Sequence, residues 1–88
     1  MAKPLVILHG WGRGDLKKWQ PTQKILHQAG FKVFLPPLPG FFGQPPPQKP
    51  WTLADYADYV TGYLKHHRLN QPIILGHSFG GSVAIKLI

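Results

Sequence analysis

Apolar residues gather in three short runs, Leu5-Val6-Ile7-Leu8, Phe31 to Leu35 and Ile73 to Leu75, with segments of helical periodicity between and after them. The first run is continuous and ends at His9-Gly10, as in a strand buried on both faces of a parallel sheet. A helix is expected from about Gln20 to Ala29, with Pro21 tolerated in its first turn. Ile25, Leu26 and Ala29 should face inward and Gly30 should terminate it. Phe31 to Leu35 then reads as the second strand. A second helix is announced by Thr52 as N-cap, Asp55 three residues on, and Trp51 placed to staple onto Tyr56. Leu53, Tyr56, Ala57, Val60 and Leu64 continue at helical spacing. Asn70-Gln71-Pro72 interrupts that pattern, a third strand covers 72–75, and a third helix starts at Phe79 and runs to Ile88.

Between the second strand and second helix, Pro36 to Pro50 holds seven prolines and two glycines, which excludes helix and favours extended or turn backbone. Pro47-Gln48-Lys49-Pro50 has the minimal spacing of a proline-rich ligand, against the commoner reading as an ordinary proline loop. The element order is strand, helix, strand, helix, strand, helix, with connections long enough for right-handed crossovers. This is an α/β chain: a three-stranded parallel sheet with flanking helices, forming a single partial domain over 1–88.

Composition adds constraints. A domain of 88 residues buries only about 60 to 65% of its unfolded surface, so its stability is expected to be marginal. Ten Lys and Arg against three acids give a net charge of +7, which invites a nucleic-acid reading. The cations are dispersed, however, and Lys65, His66, His67 and Arg68 sit where they complement a helix C-terminus, so a solvated surface is the better account. With no cysteine there is neither disulfide framework nor thiolate metal site. Four apolar residues after Met1-Ala2-Lys3-Pro4 are too few for a signal peptide or membrane span, and a cytoplasmic location is the default.

The chemistry lies in Gly76-His77-Ser78-Phe79-Gly80, placed directly after the third strand and before the third helix. That pattern is a nucleophile elbow, with Ser78 on a tight turn and Gly76 and Gly80 leaving room for the neighbouring backbone. A serine nucleophile needs a base and preorganised donors for the oxyanion. The N–H of Phe79, at a helix N-terminus, supplies one donor. The loop His9-Gly10-Trp11-Gly12-Arg13-Gly14, at the carboxyl end of the first strand, offers the N–H of Trp11 as the second.

With these motifs in order, the chain resembles the α/β-hydrolase superfamily, especially short bacterial esterase-like and carbon-carbon-bond-hydrolase-like members. His9-Gly10-Trp11-Gly12 is similar to the family's oxyanion loop, Trp19-Gln20-Pro21 to the start of its first helix, Leu38-Pro39-Gly40-Phe41 to its proline-glycine turn, and Gly76 to Gly81 to its elbow. Pro37 stands where relatives commonly carry aspartate, and Phe42 reads as an extra residue before Gly43. The resemblance implies that His9 shapes the oxyanion loop and that Trp11, Phe41, Phe42 and Phe79 line an apolar acyl pocket, beside the plain alternative of packing. It also places the catalytic acid and histidine after later strands, beyond Ile88. Within the chain, Asp55 is explained by capping and Asp58 by a polar helix face. His77 points a different way from Ser78 on the turn, His27 reads as solvated, and adjacent His66 and His67 diverge on a helix. No metal or cofactor is expected.

The sheet order implied is first strand in the centre, leaving the third at an edge, and the final helix stops mid-pattern at Leu87-Ile88. A fragment is therefore expected. The function expected is that of a serine hydrolase acting on an ester or related carbonyl compound through an acyl-enzyme, with negligible turnover in the isolated 88-residue chain. Its partners would be a small-molecule substrate and a complementary chain or missing C-terminal half, with neither nucleic acid nor membrane. Two alternatives are a non-catalytic half-domain that pairs with a complementary chain and a basic nucleic-acid-binding module.

Overall fold

The computed structural model describes residues 3–10, 12 and 16–88. Strand β1 (Lys3–Leu8) is followed by a 3-10 turn (Leu16–Trp19), helix α1 (Gln20–Gln28), strand β2 (Phe31–Phe34), helix α2 (Leu53–His66), strand β3 (Ile73–Gly76) and helix α3 (Phe79–Leu87). The sheet order is β2-β1-β3, all parallel. Leu5 pairs with Val33 on one side and Ile73 on the other, which puts the carboxyl ends of all three strands on one edge.

The unbroken apolar run of β1 is explained by its central position: Leu5 to Leu8 are buried, with alternate residues feeding opposite layers. Val6 and Leu8 join Leu38, Phe41, Phe42, Tyr56, Val60 and Val83 in a core beneath α2 and α3. Leu5 and Ile7 turn to the other face, where Trp19 closes a smaller core with Leu26 against it. The chain is thus a sheet between two helical layers.

The start of α2 follows the sequence signals closely. Thr52 accepts from the Asp55 N–H at 3.2 Å while the Asp55 carboxylate accepts from the Thr52 N–H at 2.8 Å, a reciprocal capping box worth about 1 kcal/mol. The rings of Trp51 and Tyr56 meet edge to face at 5.0 Å, completing the staple.

Helix α1 departs from expectation in phase. Ile25 is 66% exposed and Ala29 is exposed at the C-cap; of the three positions expected inside, Leu26 alone packs inward. The buried indole of Trp19, in the 3-10 turn before the helix, sets the rotation, and Leu26 lies two turns further along the same side. A large ring one residue before the helix outweighs the amphipathic pattern within it. Strand limits shift by one or two residues from those expected, as strand ends do.

The proline-rich segment is stitched rather than loose. Gly40 donates to the Pro45 carbonyl (3.1 Å), Phe41 to Leu38 (3.2 Å), Gln44 to Phe41 (3.0 Å), and the Tyr56 hydroxyl donates to Pro39 (3.1 Å). No helix among the described residues is long and apolar enough to cross a membrane.

Candidate active site

The described residues of the elbow and of the loop after β1 meet at the carboxyl edge of the sheet. β3 ends at Gly76, the His77 N–H continues the ladder by donating to the Leu8 carbonyl at 3.0 Å, and α3 begins at Phe79. Ser78 is the second of the two residues between strand and helix, with φ 55° and ψ −117°. A non-glycine residue rarely adopts this backbone, which costs on the order of 1–3 kcal/mol. The turn is held by Gly80 N–H to His77 (2.9 Å) and Gly81 N–H to Ser78 (2.9 Å), and Ser78 itself is exposed.

The glycines of the motif are required by close approach. A Cβ on Gly80 would collide with the carbonyl group of Leu8, and one on Gly76 would stand 2.6 Å from the Gly81 Cα. Helix α3 therefore lies directly on β1 and β3, which aims its amino end along the sheet edge. From the other side, a Cβ on Gly10 would stand only 3.0 Å from Ser78 Cβ. The loop after β1 thus touches the elbow.

His9 organises that loop. It is fully buried; its Nε2 accepts the Leu38 N–H at 2.9 Å, which leaves the proton on Nδ1, where it is donated to the Gly10 carbonyl at 2.7 Å. Burial holds the imidazole below its ordinary pKa of 6.5, with the Gly10 bond acting in the opposite sense and the charge of Lys18 adding to the lowering. The rings of Phe41 and Phe42 meet that of His9 nearly edge-on, at 5.9 and 4.6 Å. With both nitrogens engaged, His9 has none to offer Ser78. The ring of His77 packs edge to face on Trp19 at 5.5 Å. The capping box occupies Asp55, and Asp58 is exposed on α2.

The candidate pocket residues divide. Phe41 and Phe79 line a cavity of about 440 Å³ together with Trp51, Tyr56 and the proline-rich segment. Phe42 does not join them: its ring presses on Gly12, its N–H donates to the Gly12 carbonyl at 3.3 Å, and the Lys18 ammonium lies 5.0 Å from its centroid. Its φ of 49° turns it away from Phe41, the residue before it. Trp11, the expected second oxyanion donor, lies outside the described residues. The sequence reasoning missed Trp51 and Tyr56 as cavity walls, because their stapling role already accounted for them.

Known proteins resemble this chain over nearly its whole length. The chain is 37% identical over 88 residues to a pimeloyl-[acyl-carrier protein] methyl ester esterase of Aromatoleum aromaticum, covering 99% of this chain and 32% of that protein. It is 33% identical over 86 residues to a dihydrolipoyllysine-residue acetyltransferase component of the acetoin cleaving system of Cupriavidus necator, covering 98% and 22%. A solved extracellular alpha/beta-hydrolase from a Paenibacillus species, described as sharing structural and functional homology with tobacco salicylic acid binding protein 2, superposes with a TM-score of 0.77 at 29% identity. The match covers 97% of this chain and 34% of that one. The chain thus spans about a fifth to a third of the length of these relatives. The profile of the alpha/beta hydrolase family matches residues 5–88, and with the elbow, the parallel sheet and the relatives in agreement, the chain belongs to that family.

Proposed function

We propose that this chain carries the nucleophile half of a serine hydrolase that cleaves an ester or related carbonyl compound through an acyl-enzyme. The observation that carries the proposal is the backbone of Ser78, held at φ 55° and exposed at the tip of a strand-to-helix turn. Such strain persists where surrounding structure over-determines it and where it serves presentation of a side chain. In this reading the Ser78 Oγ attacks the carbonyl carbon, and the N–H groups of Phe79 and Trp11 receive the oxyanion. The esterase relative supports this substrate class.

In this proposal the base and acid come from residues outside this segment: among the described residues, both nitrogens of His9 are engaged and Asp55 is held in the capping box. β3 is an edge of the described sheet, and Ile85 on α3 is 73% exposed. This face suits the remainder of a hydrolase domain, in the same or a complementary chain. Losing a triad base costs on the order of a millionfold in rate, so the isolated segment should turn over negligibly.

A fluorophosphonate probe with peptide mapping tests the assignment. Slow labelling confined to Ser78 and absent from Ser78→Ala is expected. Labelling at Ser82, or undiminished labelling of Ser78→Ala, would defeat it, and rapid labelling of Ser78 in the isolated chain would show that a base lies within it.

A further inference from the structure

The cavity beside the elbow has walls of a specific kind. Phe79, the residue after Ser78, forms one side; Phe41 and Tyr56 stand 5.6 and 5.2 Å from it, ring centre to ring centre. Trp51 meets Tyr56 edge to face at 5.0 Å, and Pro46 and Pro47 also line the cavity. Its volume of about 440 Å³ lies within the range of small-molecule sites, roughly 300–1,000 Å³. Four of its lining side chains, Phe41, Trp51, Tyr56 and Phe79, are aromatic, and a guest ring that stacks on them or meets them edge to face gains more than the area it buries, which an alkyl chain of equal area does not. We propose that this cavity receives an aryl group of the substrate, and that Trp51 with the Pro46-Pro47 segment selects for it. The Ser78 reading enters only in saying where the scissile carbonyl would then lie, one residue from the Phe79 wall.

The test uses the Ser78→Ala variant of this chain, so that binding is observed without chemistry. Methyl 3-phenylpropionate and its saturated counterpart of similar size, methyl 3-cyclohexylpropionate, are titrated separately while Trp51 indole and Tyr56 ring resonances are followed by NMR. The phenyl-bearing methyl ester should bind at least tenfold more tightly and shift both residues, and Trp51→Ala should weaken it at least fivefold. Where Trp51→Ala loses its fold by circular dichroism, Pro47→Ala, on the loop, carries the same expectation. Equal affinity for the two esters overturns the proposal. So do shifts confined to the separate hollow lined by Gln23, His27 and Phe31. Because Ser78 is absent from the variant, failure here speaks against the aryl pocket and leaves the fluorophosphonate result standing.

Discussion

Leu38 donates its backbone N–H to Nε2 of His9 at 2.9 Å, and so ties the proline-rich loop to the loop touching Ser78. The bond exists only while His9 is neutral. Because the folded-state pKa lies below 6.5, the unfolded chain takes up the proton first. The stabilisation is therefore complete above about pH 6.5 and is lost progressively as the pH falls below that value towards the folded-state pKa. Urea midpoints should be flat from pH 8 to 7 and decline by pH 5, and His9→Ala, which leaves the Leu38 N–H unsatisfied, should cost about 1–3 kcal/mol. A midpoint unchanged between pH 7 and 5 in wild type would show that His9 is not buried neutral.

Gly80→Ala should be among the most damaging single-methyl additions in the chain. The new carbon meets backbone, the Leu8 carbonyl, rather than a side chain that can rotate away. A loss of about 3 kcal/mol is expected, measurable by chemical denaturation, and α3 should separate from β1. Gly62→Ala, in open space on α2, is the contrast: nothing lies within 4 Å of its added carbon, and a gain of about 0.5–1 kcal/mol should follow.

Ser78→Gly should make the protein more stable while removing the proposed nucleophile. Relief of a strained backbone is worth about 1 kcal/mol or more, so a higher denaturation midpoint with loss of fluorophosphonate labelling is expected. An unchanged midpoint would indicate that the turn is relaxed with serine in place.

Thr52→Ala should cost about 1 kcal/mol through loss of the capping box, whereas Ile25→Lys, on an exposed side of α1, should change stability by no more than about 0.5 kcal/mol. Thermal or urea melts of the two variants compare a local signal that the sequence advertises with an apolar pattern that it does not honour.

These contrasts show what was legible in the sequence. The strands, the α2 start and the elbow were readable because each is decided by neighbours within a few positions: the run 5–8, the Thr52-Asp55 pair, and the glycines around Ser78. The phase of α1 was not, because Trp19 decides it from outside the helix through contacts with β1. The acceptor role of His9 towards Leu38 spans 29 positions and leaves no local trace. The divergence of Phe41 and Phe42, adjacent in sequence, depends on a φ of 49° at Phe42, and a phenylalanine there gives no hint of it.

The central place of β1 has a consequence for how the protein is made. Its four buried residues are synthesised ahead of both neighbouring strands, so Leu5 must await Val33 and then Ile73, about 70 positions later. At roughly 5–20 residues per second this strand remains without its second neighbour for on the order of 3 to 14 s. A strongly water-averse strand is thus left open to nascent-chain chaperones throughout that interval.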